Sequence, residues 1–478
     1  MKWETVIGLE VHAELSTETK LFCGCKNSFS GAPNTNVCPI CAGMPGALPK
    51  LNSNVVEYAI KVGHTLNCTI NQQCRFDRKN YFYPDLPKAY QISQLHIPIC
   101  QDGHMVIMPS THKKTIGIRE IHIEEDAGKL IHDAQNDYTL MDYNRCGVPL
   151  LEIVTYPDFR GSQEVLAYLE QLREILMFLD VCDGKMQEGS LRVDINLSVR
   201  PQDGELGVRT EMKNLNSFKA IGRAIEYESA RQIKVIANGG EVTQETRRWD
   251  DDAGISHSLR LKEDAQDYRY FPEPDLLPLE INAQWLADVV SGIPKLAHER
   301  RRQYIDDYGL AEYDAAVLTS HSRVSDLFEL VCSLSGEPIE SARLIIGEIM
   351  RLMNQTNTLP DDLTIDAKKL AILVIYVIEG KINRNTFKEA IEAVFTLDVE
   401  PEAYITEKGL MMLDDYGIIA EAARSVVADN SSAASDYVEG IDKAFGFLMG
   451  QVMRKLGGTG NPELVRKALE ESLQSNPK

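Results

Sequence analysis

The sequence predicts an α+β protein: an N-terminal mixed domain built on antiparallel sheet, followed by helical segments to the C-terminus. Three observations carry this. Residues 1 to about 290 alternate short period-two segments with turns rich in Gly, Pro, Asn and Asp. Residues 191–213 read as strand, turn, strand, which makes neighbouring strands antiparallel. From about 295 onward, amphipathic Ala-, Leu- and Glu-rich segments follow one another.

The elements follow in order. In TVIGLEVHAEL, Ile7, Leu9, Val11, Ala13 and Leu15 share one face, and Gly8, Glu10, His12 and Glu14 the other. The alternation slips at Ile118–Ile121, and Asp126-Ala127-Gly128 supplies a turn after the next strand. At 162–179 Ser162 reads as an N-cap, and Val165, Leu169, Leu172, Leu176 and Leu179 form a buried helical stripe. In LRVDINLSVR, Val193, Ile195, Leu197 and Val199 alternate with Arg192, Asp194, Asn196 and Ser198. After the turn-prone PQDGELG, the segment GVRTEMK returns with Arg209, Glu211 and Lys213 on its polar face. One sheet can therefore present Glu10, His12, Arg192, Asp194, Asn196 and Glu211 together. Breaks near Gly292-Ile293-Pro294 and across Thr396–Gly409 predict domains 1–292, 293–408 and 409–478. The polar stretch 428–436 reads as a helix–helix connection, and Asn461-Pro462 as the start of the last helix.

The net charge of −21 argues against binding nucleic acid by bulk electrostatics, while leaving room for local basic patches. No run of 18 apolar residues exists and the N-terminus lacks a signal peptide's apolar core, so a cytoplasmic protein without membrane contact is expected. Ten cysteines in such a chain point to a metal rather than to disulfides.

Four constellations carry chemistry. Cys23, Cys25, Cys38 and Cys41 form C-x-C and C-x-x-C pairs across a short loop, a spacing suited to a closed, structural tetrahedral Zn²⁺. Glu10, His12, Glu124, Glu125 and Glu152 each read alone as solvated strand residues. Gathered, they suit a hard ion such as Mg²⁺. Glu124 and Glu125 can share one site only if the strand ends or bulges there, because successive residues face opposite sides. The segment FDRKNYFYPDLPKAYQIS interleaves Arg78, Lys79 and Lys88 with Tyr81, Phe82, Tyr83 and Tyr90, fitting a nucleotide or an RNA end. In EMKNLNSFK, Lys213, Asn214, Asn216 and Ser217 lead into a helix and suit an anion. No G-x-x-x-x-G-K-[ST] phosphate loop and no amidase or cysteine-glutaminase signature occurs.

IGLEVHAEL, FCGC…CPICAGMPGALP, FDRKNYFYPDLPKAYQIS, HIEEDAGK, DYNRCGVPLLEIV, EMKNLNSF and DYRYFPEPDL together resemble GatB, the B-subunit family of the tRNA-dependent amidotransferases. FGFLMGQVMRKLGGTGNPELV is similar to that family's YqeY-like tail, with Thr459 and Gly460 departing from the usual residues. The resemblance implies a catalytic cradle, a helical domain and a tail that contacts tRNA through Arg454 and Lys455. It implies partners, the glutaminase subunit GatA and the small subunit GatC, and a substrate, tRNA(Gln) or tRNA(Asn) charged with glutamate or aspartate. It also implies ATP and Mg²⁺, which serve to phosphorylate the side-chain carboxylate before ammonia converts it to the amide. Carried over residue by residue, Glu10, His12, Glu125 and Glu152 become Mg²⁺ ligands, joined by Glu124 and Glu211. Glu125, His12, Arg192 and Asp194 become the catalytic set. Arg78, Lys79, Asn80, Lys213, Asn214 and Asn216 become nucleotide-binding residues. A stand-alone Mg²⁺-dependent phosphohydrolase and a non-catalytic tRNA-binding scaffold are the rival readings.

Overall fold

A central strand with a neighbour on each side organises the first half of the chain. A computed structural model describes residues 2–28, 31–133, 137–261 and 268–474; Asp267, which opens the DYRYFPEPDL motif, lies outside them. The chain forms two units, Met1–Leu296 and Ala297–Lys478.

The first unit is built on a nine-stranded sheet. Its strands are β1 (Trp3–Glu14), β2 (Thr69–Ile70), β5 (Cys100–Ile107), β6 (Lys114–Glu125), β7 (Pro149–Thr155), β8 (Leu191–Pro201), β9 (Thr210–Lys213), β10 (Glu245–Asp250) and β11 (Ile255–Leu261). Across the sheet the order is β11-β10-β9-β8-β1-β7-β6-β5-β2. A small sheet beside it contains β3 (Asp77–Asn80) and β4 (Tyr90–Ser93). Every pair in the large sheet is antiparallel except β9–β10, where the long helix α3 (Phe218–Ala237) carries the chain back in parallel.

The alternation read for β1 and β8 holds. Ile7, Leu9, Val11 and Ala13 lie in the core with Val193, Ile195, Leu197 and Val199. Helices α1 (Ser53–Thr65), α2 (Ser162–Phe178) and α3 close over that apolar face and share its core. The expected stripe of α2 is buried, but Ser162 is not its cap: Gly161 takes that place. The Ser162 hydroxyl instead donates to Glu226 on α3 (2.6 Å), and the Glu164 carboxylate accepts from the Arg160 amide (2.7 Å). The expected 191–213 hairpin forms with a shorter second strand. Residues 202–209 are a loop, with Asp203 at φ 61°, so Arg209 lies outside the ladder.

A buried polar network seals the edge strands against α3. Glu228, fully buried, accepts from Thr210 (3.0 Å), Gln232 (3.0 Å), Arg231 (2.6 Å) and Ser256 (3.1 Å), and Arg247 lies 3.5 Å away. Arg247 in turn pairs with Glu245 and donates to Ser256.

The second unit is helical and carries two hydrophobic clusters, one spanning Tyr304 to Ile405 and one Ile419 to Leu473. Residues 428–436 are not an open connection. Helices Tyr416–Asp429 and Ser431–Val438 meet at Asn430, because the small Ala and Ser residues pack as a helix turn rather than a loop. Asn461 caps the last helix, Pro462–Gln474, accepting from the amides of Glu463 (3.0 Å) and Leu464 (3.4 Å). No helix among the described residues is long and apolar enough to cross a membrane.

Glu228→Ala removes the acceptor shared by four donors and leaves Arg247 buried beside a gap. Breaking a buried pair in this way costs about 3–5 kcal/mol. All three tryptophans (Trp3, Trp249 and Trp285) lie in the first unit, so their fluorescence follows its urea unfolding alone. The expected result is a lowered midpoint; an unchanged one would show that the network carries no weight.

Candidate functional site

The face of the sheet opposite the helices is polar and open. Period-two alternation on antiparallel strands puts like positions side by side. One cross-strand row therefore reads His122, Glu152, His12, Arg192, and the next includes Glu10 and Asp194. Glu211 stands beside Asn196 on the neighbouring strand. Glu10, His12, Glu152, Arg192, Asp194 and Glu211 floor a cleft of about 550 Å³ whose rim includes Lys79, Tyr81, Lys213, Asn214, Asn216 and Tyr268.

The acidic groups fall into two sets. His12, Glu124 and Glu152 offer ligand atoms within 4.8 Å of one another, and so do Glu10, Asp194 and Glu211. His12 Nε2 is 3.4 Å from Glu124 and 3.7 Å from Glu152. Each carboxylate is held by a neighbour. His122 Nε2 bonds Glu152 (2.5 Å) while its Nδ1 bonds the Gln94 carbonyl (2.9 Å). Both partners are acceptors, so the ring is protonated on both nitrogens. Burial opposes that charge, but Glu152 lifts the His122 pKa to about 9. Burial also opposes ionisation of Glu152, yet the His122 and His12 rings hold its carboxyl well below the usual range. Asn196 Nδ2 donates to Glu10 (2.9 Å), and the Thr246 hydroxyl donates to Glu211 (2.9 Å). Thr246 reaches Glu211 because the parallel β9–β10 register sets the two residues side by side.

Cations are interleaved with these acids. Lys213 pairs with Asp194 and lies 3.1 Å from Glu211. Burial works against its charge, but Asp194 and Glu211 outweigh it and push its pKa up. Lys79 is raised likewise: burial opposes it, and Tyr270, Glu124 and Glu152 prevail. Lys79 also sits 5.0 Å over the Tyr268 ring. Asn214 takes a left-handed conformation (φ 68°), which asparagine tolerates, and its side-chain amide is tied to the Trp249 carbonyl (2.9 Å). Ser217 caps α3 beside it, accepting from the Ala220 amide (3.1 Å).

Not every expected residue reaches the cleft. Glu124 does, but Glu125 faces the other side of β6. The slip in alternation is real, a register shift opposite Val154 and Thr155, yet it lies upstream; Glu124 and Glu125 pair regularly with Leu150 and Pro149. Glu125 is thus not placed with His12, and the expectation of a shared ion shell is corrected. Its carboxylate pairs with Lys88 and accepts from the Ile92 amide (2.9 Å), next to the cysteine loop. Arg78 and Asn80 also point away, on the face of β3 opposite Lys79. Arg78 forks onto Glu273 (2.7 and 2.9 Å), pairs with Asp275 (2.9 Å) and stacks 4.2 Å from the Tyr90 ring centre. Asn80 donates to the Arg269 carbonyl (2.9 Å). Arg192 does line the cleft, bound to Asp126 (2.8 Å). Beside that pair, burial and then Asp126 push Glu14 up to about 8.

The sequence reading missed His122, which holds Glu152, and Asp126, Thr246, Gln91 and Tyr268, which line the cleft. The first had a signal: it stands two residues before Glu124 and so shares its face. Thr246 had none, since its place depends on a parallel pairing across a helix.

The four cysteines converge. Cys23, Cys25, Cys38 and Cys41 have sulfurs all within 4.8 Å of one another, and Cys38 and Cys41 are 3.8 Å apart. A tetrahedron with metal–sulfur bonds of about 2.3 Å spaces its sulfurs by about 3.8 Å. The hydrogen bond from Cys23 pulls Cys41 down to about 4, with the Cys38 amide (3.1 Å) and Lys20 (3.8 Å) adding to it. Burial pushes Cys25 up to about 11.

Two family models match the chain, the GatB/GatE catalytic domain over residues 5–287 and the GatB domain over residues 326–473. Among curated relatives, the B subunit of the aspartyl/glutamyl-tRNA(Asn/Gln) amidotransferase from Lachnoclostridium phytofermentans is 52% identical over 98% of this chain and 99% of its own length. The protein of the same description from Caldicellulosiruptor bescii is 51% identical over 99% of this chain and 100% of its own, and that of Thermoanaerobacter sp. is 48% identical over 99% and 100%.

The Lys88–Glu125 pair gives a stability test of the corrected geometry. Both side chains are under 10% exposed, at 9% and 4%. Lys88→Met strands the carboxylate and is expected to cost about 3–5 kcal/mol. Lys88→Met combined with Glu125→Leu should recover much of it. A loss that Glu125→Leu fails to relieve would show that Lys88 acts through some other contact.

Proposed function

The chain belongs to the GatB family of amidotransferase B subunits, and from that premise we propose that its open cleft carries out the phosphoryl-transfer half of tRNA-dependent transamidation. The substrate is glutamate or aspartate esterified to tRNA(Gln) or tRNA(Asn). A side-chain carboxylate oxygen attacks the γ-phosphorus of ATP, the bond to the β-phosphate oxygen breaks, and ADP leaves. Ammonia then adds to the acyl carbon and expels phosphate, leaving the amide. The clustering of two acid sets with Lys79 and Lys213 on one face is the observation that carries this reading.

A carboxylate is a poor electrophile, and phosphoryl transfer depends mainly on positioning and charge neutralisation. His12, Glu124 and Glu152 form one donor set suited to Mg²⁺, and Glu10, Asp194 and Glu211 a second. Magnesium held there supplies neutralisation of the phosphate charge. Lys79 and Lys213 add fixed positive charge at the rim, and Arg192, anchored by Asp126, orients acceptor groups below them. The Tyr81 and Tyr268 rings, 5.9 Å apart, offer stacking surfaces beside Lys79 for the terminal nucleotides of the tRNA.

The remaining parts have supporting roles. The cysteine set suits a structural Zn²⁺ that closes the loop next to Glu125. Ammonia comes from a glutaminase subunit, GatA, and GatC completes the assembly, in keeping with the absence of a glutaminase signature here. Residues 293–408 form a helical domain and 409–478 a YqeY-like tail that grips the tRNA body through Arg454 and Lys455. Those two end the helix Asp442–Lys455. A Cβ at Gly460 would meet the Leu456 Cδ1 methyl at 2.6 Å, so a larger residue there needs that side chain to turn aside. Neither a free-standing phosphohydrolase nor a non-catalytic scaffold accounts for full-length similarity to B subunits together with an acid-lined cleft.

Transamidation by the three-subunit assembly with each mischarged tRNA tests the whole reading. Two variants test its parts. Glu124→Ala should lower tRNA-dependent ADP formation by about a hundred- to a thousandfold, the size of losing one preorganised electrostatic contact of roughly 2.7–4 kcal/mol, and raise the Mg²⁺ needed for half-maximal rate. Glu125→Gln should leave that Mg²⁺ requirement where it is; a matching shift in both would undo the separation of the two carboxylates. Glutamine hydrolysis by the partner should persist in either case.

The zinc assignment is checked by metal analysis of Cys38→Ser. About one zinc per chain is expected in the unaltered protein and none in the variant, with lowered thermal stability. Unaltered protein purified without chelator and free of zinc would refute it.

A further inference from the structure

A lysine ammonium is strongly hydrated and is almost never fully buried unless it is paired. Lys20 is nonetheless completely buried, at 0% exposure, and is one of the largest wholly enclosed side chains in the protein. It stands three residues before Cys23, between β1 and the first cysteine pair. Its backbone amide donates to the Cys25 carbonyl (3.0 Å), closing the turn that carries that pair. Its side chain crosses to the second pair: Nζ donates to the Asn36 carbonyl (2.9 Å) and lies 3.8 Å from Cys41 Sγ. Asn36 is itself fixed, its backbone amide donating to the Asn144 side chain (2.8 Å) and its side-chain amide to the Lys26 carbonyl (2.6 Å). One lysine thus spans both halves of the cysteine loop.

The question is what balances its charge. No carboxylate among the described residues stands within ion-pair distance of the Lys20 ammonium. Glu125 reaches the same spot across Gly147, where a Cβ would meet Lys20 Cδ at 3.7 Å and a Glu125 oxygen at 3.9 Å, but that carboxylate is paired with Lys88. A carbonyl dipole solvates an ammonium without neutralising it, and a buried charge with no counter-ion is strongly destabilising. Among the described residues, the group able to bear negative charge that the ammonium touches is the Cys41 sulfur. The cysteine set has the opposite imbalance. Four thiolates around one Zn²⁺ leave two negative charges over, in a loop where Cys41 is buried.

We propose that Lys20 is the internal counter-ion of the cysteine-bound metal, a positioning residue that offsets part of the surplus thiolate charge while tying the Asn36 end of the loop to the first cysteine pair. The inference rests on the zinc reading and goes beyond the four ligands. The dependence is mutual. The metal-bound thiolates are what make a buried ammonium tolerable, and the ammonium is what makes their surplus charge tolerable away from water. Loss of the metal therefore removes more than its bonds to sulfur: it leaves Lys20 enclosed with no anion beside it.

The experiment uses the full chain. Lys20→Met removes the charge at nearly the same length, and Lys20→Gln removes the charge but keeps a donor for the Asn36 carbonyl. Both are expected to lower zinc affinity by about 10–100-fold in competition with a metallochromic chelator, the usual size of losing a group that supports a metal ligand. Urea unfolding followed by tryptophan fluorescence gives a second readout. In the zinc-loaded chain Lys20→Met should lower the midpoint. In the zinc-free Cys38→Ser background, where the ammonium has no anion to meet, the same change should lower it no further. If Lys20→Gln holds zinc as tightly as the unaltered chain, the donor matters and the charge does not, and the proposal is wrong. An equal fall in midpoint with and without the metal, or variants that fail to fold in both backgrounds, would make Lys20 a structural tie and also overturn it. Variants that fold only in the Cys38→Ser background support it. An unaltered chain without zinc removes the zinc reading and this inference together; a zinc-bearing chain whose affinity neither variant weakens removes this inference alone.

Discussion

The structure turns on the repulsion among carboxylates gathered on one open sheet face. Glu10, Glu124, Glu152, Asp194 and Glu211 stand on four successive cross-strand rows, with Glu124 and Glu211 buried. Like charges at such spacing in a partly desolvated site are costly unless cations and donors are fixed among them. Lys79, Lys213, Arg192 and the protonated His122 are those cations. Their presence offsets the repulsion, and under the proposed function the acidic charge they leave over is what metal ions would neutralise.

The fold serves that face by freeing it of every other duty. The apolar side of the same strands packs under α1, α2 and α3, so the other face can be largely polar without loss of core. β1 is the pivot because both neighbours run antiparallel to it, which brings His12 level with Glu152 on one side and Arg192 on the other. The single parallel pair at β9–β10 adds Thr246 as a donor to Glu211, and the Glu228 network beneath holds that edge in register. Orientation by such neighbours tunes a ligand carboxylate as much as its own position does.

At the end of β6 one strand does two jobs. Glu124 looks into the cleft, while Glu125 looks toward the cysteine loop and is neutralised by Lys88. Cys23, Cys41, Gly43 and Met44 of the cysteine loop line one small hollow together with Lys88 and Glu125.

The sequence by itself determined the alternation of β1 and β8, the converging cysteine pairs, the stripe of α2 and the residue types of the acid-lined face. All of these are set by local periodicity or short spacing. It also contained the match to a family of B subunits, through long ordered motifs. What only the tertiary structure decided is which side of a strand faces what. Periodicity separates Glu124 from Glu125 and Lys79 from Arg78 and Asn80, but it does not say which member of each pair meets the cleft. That depends on whether helices, the cysteine loop or nothing lies over each face, and those covers come from segments far away in the chain. Thr246 reaches Glu211 for the same reason: a parallel pairing across a twenty-residue helix leaves no trace in the residues on either side of it.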